Sequence, residues 1–355
     1  MELFTASKQW STRPADQRFT TLQGLHEAVS GYRADAREAT RPYADLHMSA
    51  DGADVVVNGK ANLPARFTHW AFGQLCARVQ APASYLRALP PTLAAENLNH
   101  GIATMGADGD DPDAKLLLHR NGSLLVRAFT SPRYTRIWNS DITSRLLALG
   151  GPWQPAPAAC DGSRGLYASD HDMFAFMVDN DRRIFEEDHG GLARGFFVSN
   201  SEVGAAAFSI TTFLYRYVCG NHIVWGAKGV KELRLRHTGA ADARAFGELE
   251  GELRQYSDAS ESDERGRILS ARRFRLGTDK DTVLDSIFKL RVAALSRQRI
   301  SASYDLAVEH ETTDGDPTTA WGMANGITRL SQTLPYADER VSLDRAAGKV
   351  LEMAF

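Results

Sequence analysis

The 355-residue chain has only three cysteines, Cys76, Cys160 and Cys219, an odd number at wide spacing. That argues against a disulfide framework and suits a reducing cytoplasm. It has no uninterrupted apolar run of about 18 residues, the length that crosses a bilayer, so no membrane contact is expected. The opening residues MELFTASKQW lack a basic region followed by an apolar one, and no secretion signal is expected either. Charge of one sign is missing too: 41 Lys and Arg stand against 44 Asp and Glu, a net −3 at pH 7. Any nucleic acid must therefore meet a local patch rather than a global field. A phosphate-binding glycine loop, a nucleophile triad and a full zinc ligand set are all absent from the sequence, which points to no cofactor and no metal.

What is there is an ordinary globular composition, 43% hydrophobic and 24% charged, enough for one large core or two modest ones. The richest stretch is Gly195 to Gly229. It begins as a strand that breaks at Asn200, Ser201 and Glu202, side chains that compete with the backbone for hydrogen bonds, before Gly204. The run FSITTFLYRYV that follows fits a buried strand or an apolar helix, and its length does not decide between them. The bend CGNHIVWGAKG then gathers Cys219, Asn221 and His222. Because both polar turns end strands of one apolar segment, they are expected to lie close together and to satisfy exposed backbone ends.

Earlier in the chain, a helix is expected from Leu22 to about Arg37 and a strand at Val55 to Val57 closed by Asn58-Gly59. Residues 68–105 read as three short helices opened by Thr68, Pro82 and Pro91, a small cap whose His69, Trp70, Asn97, Asn99 and His100 are either a recognition surface or solvated faces. GADGDDPDA reads as a linker, since it lacks the closing glutamate of a calcium loop. In KLLLHRNGSLLVRAF the Asn121-Gly122 pair predicts a hairpin with a two-residue turn. Beyond it Arg133, Tyr134, Arg136 and Trp138 alternate cation and ring, which grips phosphates and bases or simply packs under the hairpin. A helix should start near Asn139 to Asp141.

Gly165 to Asp179 reads as a strand with Asp170, His171 and Asp172 at its centre, followed by Glu186, Glu187, Asp188 and His189. On a strand Asp170 and Asp172 share a face, which opens a metal-dependent reading. Cys219 and His222 have the spacing of half a zinc knuckle without a second pair. Asp242 to Glu264 carries eight acids and two arginines, and Arg265 to Arg299 carries ten bases and three aspartates. In the second block Val283, Ile287, Leu290 and Leu295 can face a core, leaving Arg291, Arg297 and Arg299 partly outside. Two more helices are expected toward the end of the sequence, from about Thr318 and Asp338.

Ala71-Phe72-Gly73 with Tyr85-Leu86, Arg133-Tyr134-x-Arg136-Ile137 with Asn139 and Asp141, Asn200-Ser201-Glu202-x-Gly204, Arg216-x-x-Cys219-x-Asn221, and Thr319-Ala320-Trp321 with Asn325 and Thr328 together resemble the phage/plasmid-related family. That family is a domain of unknown function carried by mobile elements; His222 departs from the glycine expected after the asparagine. The resemblance implies a context and no reaction. The expected fold is α+β, a mostly antiparallel curved sheet with long helices on one side, with an N-terminal arm and helical cap over 1–110 and the core with the C-terminal helices over 111–355 as one continuous folding unit. The expected function is a nucleic-acid-binding accessory of a mobile element, single-stranded DNA binding or annealing in recombination, working as a homo-oligomer. Its binding residues would be Arg133, Tyr134, Arg136, Arg265, Arg267, Arg272, Arg273 and Arg275. The alternatives are a metal-dependent nuclease using Asp170, Asp172 and Glu202, a Cys219/His222 nucleophile, or a non-catalytic structural or host-factor-binding protein.

Overall fold

A computed structural model describes residues 14–58, 64–108, 112–149, 152–155, 165–183, 191–216, 221–223, 233–239, 261–333 and 337–355, with the single positions 247, 251, 253 and 256. After β1 (Arg18–Phe19) comes α1 (Leu22–Ala34), whose N-terminus is capped by the Thr21 side chain accepting from the Gly24 N–H. Strands β2 (Ala36–Pro42), β3 (His47–Asp51), β4 (Asp54–Asn58) and β5 (Pro64–Phe67) precede three helices. These are α2 (His69–Arg78), α3 (Ala83–Ala88) and α4 (Pro91–Asp108), and Thr68 caps α2 by accepting from Ala71 N. The hairpin of β6 (Asp113–Asn121) and β7 (Ser123–Thr130) follows.

Sheet B runs β2-β6-β7-β5-β4-β3, with only the β5–β7 pair parallel. One of its faces packs under α2, α3 and α4 through Met48, Val57, Phe72, Leu75, Leu98, Leu116 and Val126. The helices are therefore one layer of an α+β unit rather than a separate cap. Residues on both sides of position 110 share this sheet, because β6 pairs with β2 and β7 with β5. The stretch expected as a linker is partly helix, since α4 continues to Asp108. The hairpin also differs in register. Arg120 opposes Leu124 and Asn121 opposes Ser123, so the turn pivots on Gly122 instead of a two-residue loop, and a bulge between Leu117 and Leu118 adjusts the pairing.

The second half adds α5 (Asn139–Ala148), β8 (Trp153–Pro155), β9 (Leu166–Ala168), β10 (Met173–Arg183), β11 (Leu192–Asn200), β12 (Phe208–Arg216), β13 (Asn221–Ile223) and β14 (Leu233–Leu235). Sheet A runs β1-β9-β10-β11-β12-β13, with β8 on β10 and β14 on β12, and every pair is antiparallel. Residues 208–216 are thus strand, as the β-branched and aromatic content allows. Alternation sorts the two faces. Met173, Ala175, Met177, Phe196 and Val198 meet α1 and α5, while Tyr167, Phe174, Phe176, Phe197 and Phe213 form a row of rings on the other side. Successive rings stack 4.5–6.3 Å apart, and Phe213 lies over Gly195, where an added Cβ would come within 2.1 Å of the ring.

The C-terminal helices are α6 (Glu261–Arg273), α7 (Lys280–Phe288), α8 (Arg297–Glu309), the single turn α9 (Glu311–Asp314), α10 (Ala320–Thr333) and α11 (Ala337–Glu352). They share a core built on Trp321, Ile268, Val283, Ile287, Ile300 and Val350, reached from sheet A by Leu192 and Leu214. The basic block is not one helix. Arg291 adopts φ 52° after α7, and Ser296 caps α8 by accepting from Arg299 N, so the chain breaks between two helices while Val283, Ile287 and Leu295 still face inward. The only described cysteine, Cys76, is buried with a free thiol. No described helix is long and apolar enough to cross a membrane.

Candidate functional site

Where sheet B meets the β11–β12 turn and the start of α5, polar side chains concentrate inside the protein. Arg127, Arg136, Asn139, Asn200, Ser201 and Glu202 are all at most 6% exposed. β11 ends at Asn200, and the turn after it is set by its own side chains. Ser201 Oγ accepts from Ala205 N and donates to His171 O, and Gly204 takes φ 79° with its α-carbon facing the Tyr134 ring. Trp70 Nε1 and Gln74 Nε2 both donate to the Val203 carbonyl, at 3.0 and 2.8 Å, tying the turn to α2. Gln74 Oε1 also accepts from Phe129 N in β7.

Glu202 does the work of a cap for α5. That helix has no side-chain cap of its own, and Glu202 Oε1 accepts from Asn139 N at 2.9 Å, placing a carboxylate at the positive end of the helix. Its other oxygen lies 3.5 Å from Arg127 Nη1, both side chains being buried. Burial pushes the Glu202 carboxyl above its usual range, against the pull of Arg127 and the Asn139 N–H. Asn200 completes the seam, with Nδ2 donating to Ile137 O at 2.8 Å and to Asn139 Oδ1 at 2.7 Å.

The alternating segment before α5 forms a ladder inside the molecule. The Arg33 guanidinium lies 5.1 Å from the Trp138 ring; Arg136 lies 5.6 Å from Trp138 and 5.2 Å from Tyr134; Tyr134 stacks on His237 at 4.9 Å. Arg136 Nε donates to Glu38 Oε1 at 3.0 Å, while its two Nη atoms are buried without a hydrogen bond. The flanking ring faces account for that, because they stabilise the cation where no acceptor reaches it. Lys115 adds a second cation to Glu38 at 3.4 Å and donates to the Tyr134 carbonyl. Tyr134 Oη donates to Ser201 O at 3.0 Å, and burial raises its pKa. Burial lowers His237 to about 4, so the imidazole is neutral in the stack.

These positions correct several expectations. Arg136 and Tyr134 are spent on internal contacts, and only Arg133 of that segment is exposed. The two polar turns do not meet. β11 and β12 pair from Ser199–Ser209 to Leu192–Arg216, and Asn221 pairs with Arg216, so Asn200 to Glu202 and Asn221 with His222 sit at opposite ends of β12. The nine residues of β12 take eight steps from one end to the other, roughly 26 Å at ~3.3 Å each. Cys219 lies outside the described residues, as do Glu186, Glu187, Asp188 and His189. Asp170, His171 and Asp172 form the turn between β9 and β10 rather than the middle of a strand. There Ser169 Oγ donates to Asp172 Oδ1 and accepts from the His171 and Asp172 N–H groups, and His171 packs edge-on against Trp70. Among the described residues no three His, Cys, Asp or Glu side chains are placed to hold a metal ion.

The basic residues of α6 do not make one stripe. Arg265 and Arg273 are exposed, eight residues apart on one side, whereas Arg267 turns away by about 200°. Its guanidinium lies over Phe355, and that of Arg272 over Trp321. Arg275, just beyond the helix, is exposed and pairs with Asp316 at 3.2 Å. Asn97 and Asn99 are likewise committed: Asn97 donates to Leu93 O, and Asn99 pairs with both backbone groups of Met48.

Glu38, Lys115, Arg127, Gln74 and His237 were not singled out by sequence, although an arginine within SLLVRAF and a glutamine within HWAFGQLCA are polar interruptions of apolar runs, the mark of a buried partner. No curated protein and no solved structure matches the chain. The domain of unknown function DUF932 matches residues 128–334, a span holding Tyr134, Arg136, Asn139, Asn200 and Glu202 of the joint. As that span is more than half of the chain, the protein belongs to the DUF932 family.

Proposed function

We propose that the protein is a non-catalytic nucleic-acid-binding accessory of a mobile genetic element, that it engages single-stranded DNA, and that it acts as a homo-oligomer. The observation that carries this reading is the exposure of Arg273 and Arg275 on either side of Phe274, itself 38% exposed, at the end of α6, with Arg265 exposed about two turns earlier and Arg275 also paired with Asp316. Guanidinium groups for phosphates beside a ring for bases are the elements of sequence-tolerant single-strand binding. The charged groups of the joint pair with one another inside the protein, Arg127 with Glu202 and Arg136 with Glu38. The nuclease reading is less favoured, because Glu202 is buried against Arg127 and the Asn139 N–H while Asp172 accepts from Ser169 in the β9–β10 turn.

Fluorescence anisotropy with labelled single- and double-stranded oligonucleotides at low salt, with and without magnesium, tests the proposal. Uncut DNA retained more tightly as single strands is the expected result. Magnesium-dependent loss of the strand, or no binding at low salt, overturns it.

A further inference from the structure

On the helix-covered side of sheet B, α2, α3 and α4 meet the β4–β5 edge around a cavity of about 190 Å³. Its floor is apolar, with Val55, Phe67, Phe72 and Leu86, and Phe67 meets Phe72 edge to face at 6.2 Å. Its mouth carries Asp54, His69 and Arg87, all exposed. The Arg87 guanidinium lies over the Phe72 ring, 5.2 Å from its centroid, with Nη2 donating to His69 O at 2.8 Å. Asp54 lies 3.4 Å from Arg66, an exposed pair whose carboxylate still faces water.

We propose that this cavity takes one unstacked base of a single strand; the proposal rests on the nucleic-acid-binding reading. The volume is well below the ~300–1,000 Å³ of pockets for drug-sized ligands, so it suits a single ring system. Apolar walls bury the faces of such a ring, while the planar Arg87 at the mouth can stack on it or reach an adjoining phosphate. Asp54 supplies an acceptor for an exocyclic amine, and Arg87 and His69 supply donors. A purely apolar ligand would make no use of these polar groups, and a phosphate alone would make none of the apolar floor.

The test compares an intact deoxyadenosine oligonucleotide with an abasic strand of equal length and charge. The intact strand should bind about tenfold more tightly, the scale of one stacked base. Leu89 also lines the cavity, and Leu89→Trp, which adds a ring there, should abolish that difference while leaving abasic binding within about twofold; Arg87→Ala, an exposed change that spares the core, should abolish the difference as well. Free deoxyadenosine should shift the amide resonances of residues 54, 69 and 87 in the wild type and not in Leu89→Trp. Equal affinity for the two strands overturns the base site but leaves phosphate binding standing. A preference that survives both variants, or resonance shifts elsewhere, also overturns it. Binding to neither strand overturns the nucleic-acid reading as well.

Discussion

Two segments of this chain have nearly the same composition and opposite fates. Arg133 to Trp138 and Arg272 to Arg275 both interleave arginine with an aromatic ring. In the first, the segment crosses between two sheets, so Arg136 is 5% exposed and meets Tyr134, Trp138 and Glu38. In the second, the segment leaves the end of a surface helix, so Arg273, Phe274 and Arg275 face water while Arg272 alone folds back over Trp321. Cation and ring attract in either setting. Desolvation decides the magnitude, because a buried guanidinium without a partner is costly and one at the surface is not. The inner segment is therefore a joint, and the outer one is the surface proposed above to meet DNA.

The largest expected effect comes from breaking the inner segment's anchor. Glu202→Ala strips Asn139 N–H of its acceptor and leaves Arg127 without its buried anion, a loss of about 3–5 kcal/mol in urea denaturation. Glu202→Gln should lose less, because the amide oxygen still caps α5. If Glu202→Ala unfolds with an unchanged midpoint, the joint does not hold the two sheets. If Gln is as damaging as Ala, the charge matters more than the cap.

A somewhat smaller effect should appear with acid. His237 is held at about 4 by burial, against an ordinary 6.5. Between those values the unfolded chain takes up a proton that the folded one refuses, so stability is full above about pH 6.5 and falls as pH drops toward 4. The span corresponds to roughly 3 kcal/mol, at 1.36 kcal/mol per unit. Glu202 acts in the opposite sense. Its folded pKa is raised, so the stability it confers is present at low pH and diminishes as pH rises through that value. His237→Phe keeps a ring against Tyr134 and should flatten the acid limb of the stability curve. An acid limb as steep in the variant as in the wild type would place the titration elsewhere.

Local chemistry was legible wherever neighbours in sequence decide it. Thr68 capping α2 and the hairpin around Gly122 depend on residues within a few positions. The turn at Asn200 to Gly204 was legible as a turn and its partners were not. Glu202 caps a helix 63 residues away, and Arg127 joins it from a strand of the other sheet. The expected meeting of Asn200 with Asn221 failed for a related reason. An apolar run of nine residues reads the same whether it folds back within its length or spans a sheet, and β12 spans it. Asp170 to Asp172 alternated as a strand would, but Ser169 bonds the backbone of the next residues and makes a hairpin turn instead. Sheet B was missed as a sheet because β2, AREATRP, has none of the apolar content that marks a strand.

The smallest effect falls on the outer segment, and it separates display from self-pairing. If Arg265 and Arg273 contact phosphates, each releases counterions, and the slope of log affinity against log salt on single strands should shrink by about 0.7 per arginine replaced with alanine. The double variant should lose about 1.4 units of slope, and its urea midpoint should stay within the small range expected of exposed positions. Arg37 and Arg41 of β2, also exposed, serve as the control pair and should leave the slope unchanged. Arg272→Ala should behave differently from both, lowering stability by uncovering Trp321 more than it changes the slope. Should the Arg265 and Arg273 variant instead lose stability with its slope intact, those arginines pair within the protein as Arg136 does. The two segments would then be alike after all, and the proposed DNA surface would have to be given up.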